Sequence, residues 1–243
     1  MKNLCITLLI CLMAFPPALR AESSVKPYLQ VDAVSAYLWR GQKCGGVSLQ
    51  PVAGVNIKNF SAFFWGNIQL CPTADSPDKH EIDLFLKYKV KNFTIGLKDV
   101  YVNSRGAGVF SFGSIPHAAN CLDIICAYDF KYVEAEWTTT VAGYDGYNHS
   151  GRRAYGSYLM LTSPFKARWF DFSAQLGIVP YYCSRYSEDN ARGFHVNMCA
   201  VKMSHTFIVQ RAKMQITPYS QLMVNPSALT AHLSVGARIS FNP

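Results

Sequence analysis

This chain lacks a helical route across a membrane, and it lacks a soluble protein's share of charge. After the first 21 residues no stretch approaches the ~18 consecutive apolar residues of a membrane helix, and helical periodicity is convincing nowhere in the chain. Only 16% of the residues are charged although 50% are hydrophobic, against the ~25–35% of charged residues that a water-facing surface carries. Something other than water is therefore expected to cover part of the surface. No C-x-x-C pair and no His at zinc-finger distance occurs among Cys44, Cys71, Cys121, Cys126, Cys183 and Cys199, which excludes the common metal frameworks; no metal and no cofactor is expected. No Ser/Gly/Pro-rich linker divides the chain, so a single domain is expected.

The first 21 residues differ from the rest. Lys2, an apolar run from Leu4 to Phe15, the Pro16-Pro17 break and the small Ala21 have the layout of a secretory signal peptide. Cleavage after Ala21 leaves residues 22–243 as the mature domain. The whole chain carries 23 basic and 15 acidic residues, a net charge of +8, and two of the basic residues, Lys2 and Arg20, lie in the leader. Export and the absence of a binding motif argue against nucleic acid as a partner.

What fills the mature chain is alternation. In "EIDLFLKYKV" Ile82, Leu84, Leu86, Tyr88 and Val90 share one face while Glu81, Asp83, Lys87 and Lys89 share the other, and a period of two means a strand. In "LTAHLSVGARISF" Leu229, Leu233, Val235, Ile239 and Phe241 oppose Thr230, His232, Ser234, Gly236, Arg238 and Ser240. Such polar faces, rich in Ser, Gly and Thr, suit a crowded concave interior better than open water. Alternating segments recur at Tyr28 to Arg40, Pro51 to Lys58, Ser61 to Leu70, Glu81 to Val90, Phe93 to Val102 and His117 to Phe130. They continue at Tyr132 to Gly143, Ala154 to Pro164, Trp169 to Pro180, Gly193 to Met203, Met214 to Val224 and Leu229 to Phe241. This makes about twelve strands, many near the ~9–11 residues a tilted strand needs to cross a bilayer.

Short links such as Lys58-Asn59 and Lys91-Asn92 alternate with long ones such as Gly41 to Gln50 and Tyr181 to Arg192, as in an up-and-down barrel with one short-turn rim and one long-loop rim. The alternation falters at the end, where Ser204 to Lys213 is long and "NPSA" is short. Aromatic residues gather by the short turns (Phe60, Phe93, Phe130, Tyr132, Phe165, Trp169) and toward the long loops (Tyr37, Trp39, Trp65, Tyr101, Tyr144, Tyr155, Tyr181, Tyr182), the pattern of two interfacial girdles. The expectation is all-β: a closed antiparallel up-and-down transmembrane barrel of about twelve strands in the outer membrane, because hydrocarbon tolerates no unpaired backbone edge.

On that arrangement Asp32, Glu81, Asp83, Lys87, Lys98, Glu134, Glu136, Asp171, Gln175 and Arg238 are the expected pore-lining residues. Their mixed signs fit a weakly selective pore or a lumen closed by ion pairs. Basic residues also collect at both ends: Lys58, Lys89, Lys91, Lys131, Lys166, Arg168, Arg211 and Lys213 by the short turns, and Arg40, Lys43, Lys79, Arg105, Arg152, Arg153, Arg185 and Arg192 toward the outer loops. The outer set is placed to meet lipopolysaccharide phosphates. His149 beside Ser150 is loop polarity rather than a catalytic pair, so no enzyme is expected. Cys44 and Cys71 fall in neighbouring outer loops and are the pair best placed for a disulfide.

"SAYLWRGQ" at Ser35 to Gln42, "LQPVAGVNI" at Leu49 to Ile57, "FWGN" at Phe64 to Asn67, "HEIDL" at His80 to Leu84, "TVAGYD" at Thr140 to Asp145 and "VNP" at Val224 to Pro226 occur in an order that resembles the TorF-type porins, a family of small Gram-negative outer-membrane barrels. The resemblance implies a barrel and an outer-membrane location; the alternation, the loop asymmetry and the polar inner face point to a porin-like channel for passive passage of small solutes, with outer-membrane lipid, lipopolysaccharide and the outer-membrane assembly machinery as expected partners. A non-conducting barrel with a structural or loop-binding role is the alternative, and a barrel lipid hydrolase a more distant one. One departure concerns assembly: many such barrels end on an aromatic residue, whereas Phe241 here is followed by Asn242-Pro243.

Overall fold

A computed structural model of the protein describes residues 25–72, 80–102, 110, 112, 119–187, 191 and 193–241. The expected leader, residues 1–21, the basic residues Lys79, Arg105 and Arg192, and Asn242-Pro243 lie outside the described residues.

The strands run β1 Val25–Val34, β2 Tyr37–Trp39, β3 Gln42–Gly45, β4 Ser48–Ile57, β5 Phe60–Gln69, β6 His80–Val90, β7 Phe93–Val102 and β8 Asn120–Asp129. They continue with β9 Glu134–Gly143, β10 Ser157–Ala167, β11 Phe170–Val179, β12 His195–Ser204, β13 Phe207–Val209, β14 Met214–Asn225 and β15 Thr230–Phe241. All of these strands except β2, β3 and β13 form a closed antiparallel ring of twelve. Neighbours in sequence are neighbours in the ring. It closes because β1 pairs with both β4 and β15 while β14 pairs with both β15 and β12. Every wall strand thus has two partners, the arrangement a hydrocarbon surrounding requires.

The wall is sorted as the period of two dictates. Ile82, Leu84, Leu86, Tyr88 and Val90 are all exposed on the outside, while Asp83, between two of them, is 2% exposed and points inward. On β15 Leu233, Val235, Ile239 and Phe241 are exposed outward and Ser234 is buried inside. Inward side chains lie over small residues on the adjacent strand: Tyr158 over Gly177 and Tyr219 over Gly236, where an added Cβ would stand 1.8 and 3.0 Å from the respective hydroxyls. Those glycines make room for lumen aromatics.

Three local differences from the alternation have physical causes. The segment Tyr28 to Arg40 is not one strand, because β1 ends at Val34 and the chain turns inward through Ser35-Ala36 to form the separate β2–β3 hairpin. The long connection after β12 is occupied by β13, which folds back on β14 with Phe207 opposite Ile216, and by a 3-10 turn at Gln210–Ala212. The brief turn after β14 is closed by the Asn225 Oδ1 atom, which accepts bonds from the backbone N–H groups of Ser227 and Ala228 at 3.0 Å each.

The aromatic girdles are also corrected. At the short-turn rim Phe60, Phe93, Phe130, Tyr132, Phe165 and Trp169 are exposed, as an interfacial belt should be. Toward the long loops only part of the expected belt faces out: Tyr155 and Tyr181 are exposed, Tyr144 is buried, and Tyr37, Trp39 and Trp65 line the lumen. Tyr37 and Trp39 turn inward because the chain doubles back beyond β1, which nothing local marks, while Trp65 shares the inward face of β5 with Asn67 and Gln69, as the period of two dictates.

Leu84→Arg or Leu97→Arg, both outward and near the middle of their strands, should cost about 2–4 kcal/mol in bilayer stability. Gln175→Arg, aimed into the lumen, should cost far less. Heat-modifiable gel mobility and urea titration in vesicles check this; equal losses at all three positions would contradict the facing.

Candidate functional site

The lumen is crossed by the β2–β3 hairpin. Its tip, Arg40-Gly41, has both residues at positive φ, 46° and 84°, which turns the chain sharply enough for Leu38 to face Lys43 and Trp39 to face Gln42. The tip is docked by side-chain amides of β12 and β14, three and two places from β1 in the ring. Asn197 Nδ2 donates to the Arg40 carbonyl (3.0 Å) and to the Tyr186 carbonyl (3.0 Å), and Asn225 Nδ2 donates to the Gly41 carbonyl (3.3 Å). A Cβ on Gly41 would stand 2.0 Å from the Asn197 carbonyl oxygen, so no other residue fits at that close approach.

Arg40 reaches furthest. Its guanidinium donates to Thr138 Oγ1 (2.8 Å) and the Tyr186 hydroxyl (2.8 Å), and it meets Glu136 at 3.5 Å. Thr138 and Glu136 belong to β9, six places from β1 in either direction around the ring, so the hairpin spans the lumen from the wall where it begins to the opposite one. The segment after β11 bends in to meet it. Arg185 is ion-paired to Asp123 (3.1 Å), with side chains 4% and 1% exposed, and its carbonyl accepts a bond from Gln42 Nε2 (3.1 Å). Asp123 also accepts from Thr140 (2.8 Å).

Cations and rings alternate through this layer. The Arg40 guanidinium carbon lies 4.4 Å from the Tyr158 ring centre, 5.1 Å from Tyr186 and 5.4 Å from Trp39; Trp39 is also flanked by Arg185 (5.5 Å) and Lys98 (6.0 Å). Such contacts stabilise a charge that has left bulk water. Burial disfavours the charged form of Arg185, but the Asp123 carboxylate beside it outweighs that, and the group's pKa stands above its ordinary value. It stays cationic at every physiological pH.

The layer leaves space on both sides. Toward the short-turn end a cavity of about 450 Å³ is lined by Asp32, Asp83, Lys98, Glu136, Gln175 and Arg238 together with Lys202, Tyr219, Trp65 and Phe85. Toward the long loops a smaller one of about 190 Å³ is lined by Glu81, Cys44, Gln42, Tyr144 and Arg185. A third, about 180 Å³, lies nearer the short turns among Lys87, Lys89, Glu134 and Glu136.

The inward residues expected from sequence are thus distributed along the whole lumen, and several meet. Arg238 grips Asp32 through Nε (2.9 Å) and Nη2 (3.0 Å). Lys98 Nζ lies 2.7 Å from Asp83. Glu81 accepts a bond from the Tyr37 hydroxyl (3.2 Å). Lys87 lies 5.5 Å from the Phe85 ring centre, and Asp171 pairs with Lys166 (3.0 Å) at the exposed short-turn end. Asp123 and Lys202 are not among the residues expected to line the pore, although period two in "NCLDIICAYD" and "HVNMCAVKMS" puts both on inward faces. Arg40 and Arg185 were assigned to the outer loops, and the structure moves both inside. Arg153 is also committed locally, donating to the Asp145 carbonyl (2.7 Å) and the Tyr147 hydroxyl (2.8 Å).

The expected Cys44–Cys71 disulfide is not formed. Because the first long connection folds inward, Cys44 lines the outer lumen cavity, whereas Cys71 stands exposed beyond the end of β5. His149 is stacked on Tyr182 with ring centres 3.5 Å apart, and its Nε2 lies 3.4 Å from the Ala191 carbonyl. Its ring is thereby engaged away from a serine hydroxyl.

No family model and no curated protein matches the chain in sequence. Solved structures do resemble it in shape. The NanC porin aligns at 10% identity and a TM-score of 0.49, over 89% of this chain and 100% of that one. An outer-membrane channel from Pseudomonas putida F1 aligns at 11% identity and a TM-score of 0.44, over 94% of this chain and 99% of that one. Similarity this remote says nothing of solute or selectivity, which depend on the lumen described above.

Two substitutions probe the layer. Arg185→Gln leaves Asp123 buried without its counter-charge and should cost about 3–5 kcal/mol, with much of the loss recovered when Asp123→Asn is added. Gly41→Ala should release the hairpin from β12 while leaving the wall intact; a red shift in tryptophan emission, as Trp39 meets water, with heat-modifiability unchanged, is the expected reading.

Proposed function

We propose that the protein is an outer-membrane channel of the TorF-type porin kind, passing small solutes passively through a lumen narrowed by its own inward hairpin. The observation that carries this reading is the pair of polar cavities, about 450 and 190 Å³, lying on either side of the layer around Trp39 and Arg40 inside a closed wall. The exposed apolar belt and the short-turn aromatics support a bilayer setting. In this reading passage runs around the hairpin, and the constriction sets a size limit well below that of an open barrel.

Selectivity follows from the pairing. In the larger cavity Asp32, Asp83 and Glu136 are each matched by Arg238, Lys98 and Arg40. Lys202 makes no ion pair among the described residues; its Nζ lies 3.7 Å from the Tyr219 ring centre. One unmatched ammonium in a confined lumen gives a modest preference for small anions.

A second reading is favoured by the docking of the hairpin tip on β12 and β14, which is firm enough to close the lumen and leave a non-conducting barrel whose long loops act on the outside. Planar-bilayer recording of refolded protein separates the two. The channel reading expects small conductance steps from the native chain, larger steps from Gly41→Ala, and a reversal potential in a KCl gradient that moves toward non-selective in Lys202→Gln. Absence of conductance in both native protein and Gly41→Ala would overturn it.

A further inference from the structure

Each of the four short turns, and the longer β12–β14 connection at the same rim, carries a basic residue at a point where the backbone is left-handed: Lys58 (φ 52°), Lys91 (53°), Lys131 (78°), Arg168 (53°) and Lys213 (47°). Left-handed positions are rare for any residue with a Cβ and are ordinarily filled by Gly or Asn. In two of these turns an Asn, the better-suited residue, stands one place later, at Asn59 and Asn92. The turns therefore do not select these side chains for their backbone preference. What the five have in common is a long cationic side chain.

All five are exposed, and none makes an ion pair among the described residues. Of the acidic groups nearby, Asp129 accepts the backbone N–H of Lys131 (2.8 Å), Asp171 is paired with Lys166 (3.0 Å), and Glu134 lies with Lys87 and Lys89 along the cavity nearer the short turns. The same turns carry the exposed rings of Phe60, Phe93, Tyr132 and Trp169, which fix the depth of this rim at the boundary between hydrocarbon and headgroups. Lys131 lies beside one such ring, 5.0 Å from the Tyr132 centre. Flexible cationic side chains at that depth reach out to phosphates while their stems stay on the apolar side.

We propose that the short-turn rim is a binding surface for the headgroups of anionic phospholipids, a ring of five cations that holds a shell of such lipids around the barrel. This does not depend on whether the lumen conducts. Charge complementarity selects the phosphate, and the adjoining aromatic belt selects a lipid over a soluble anion or a polymer further from the bilayer.

The test compares the native protein with a variant carrying Lys58→Asn, Lys91→Asn, Lys131→Asn, Arg168→Asn and Lys213→Asn, each refolded into vesicles of phosphatidylcholine alone or mixed with phosphatidylglycerol. Asn suits the left-handed backbone, so in phosphatidylcholine the variant should fold and melt at least as well as the native chain. From the mixed vesicles the native protein should extract with phosphatidylglycerol enriched over the bulk, read by native mass spectrometry, and the variant should lose that enrichment. Lys91→Asn alone should lower it by up to about fivefold, the worth of one basic residue at an anionic surface. Equal enrichment in both proteins would overturn the proposal. So would loss of folding by the variant in both lipids, which would make the residues turn-forming, or loss of binding to purified peptidoglycan sacculi with lipid enrichment unchanged, which would assign the ring to the cell wall.

Discussion

The structure depends on one constraint: within hydrocarbon every backbone N–H and C=O must find a partner in the protein itself. Closure through β12–β14 and β1–β15 meets it, and the remaining features follow. A closed wall has an inside and an outside, and the pleat sends successive side chains to each in turn. That is why Asp83 can be 2% exposed while Ile82 and Leu84, on either side of it, are 50% and 42% exposed to the surroundings of the barrel.

Closure also creates a second problem, since charges sent inward leave bulk water behind. They are accommodated by pairing and by aromatic faces. Asp32 with Arg238, Asp83 with Lys98, Asp123 with Arg185 and Glu136 with Arg40 divide the lumen into local neutral units, and Trp39, Tyr158 and Tyr186 stand between the cations. Two members of this set, Arg40 and Arg185, come from connections rather than from the wall. The lumen's electrostatics is therefore completed only when the hairpin and the segment after β11 fold in, and this couples the filling of the barrel to its stability.

Much of the wall could be read from sequence because alternation is a local signal. The inward placement of Asp32, Lys87, Lys98, Glu134, Glu136, Gln175 and Arg238 needs only the strand's own pattern. The hairpin was hidden for the opposite reason. The sequence reads as one strand from Tyr28 to Arg40 followed by a long link, and nothing local tells that the chain breaks at Ser35-Ala36, turns at Arg40-Gly41 and enters the lumen. That path is set by contacts of Arg40 with Glu136 and of Asn197 with Arg40, 96 and 157 residues apart in sequence. The same limit sent Tyr37 and Trp39 to an outer girdle and Cys44 to an outer loop, whereas the inward face of Trp65 follows from the period of two on β5, which it shares with Asn67 and Gln69. The long link after β12 was visible as an irregularity, and its cause, a short strand folded back on β14, was not.

The central claim is that the hairpin lies inside the barrel with Leu38 packed against Met198 and Met223. Site-specific photo-crosslinking tests it most directly, with a benzophenone amino acid in place of Leu38 in protein refolded into vesicles and the products mapped by mass spectrometry. The account predicts crosslinks to β12 and β14 peptides containing Met198 or Met223, without loss of the folded gel mobility. Crosslinks confined to the connections at the long-loop rim, in protein that is folded, would contradict it.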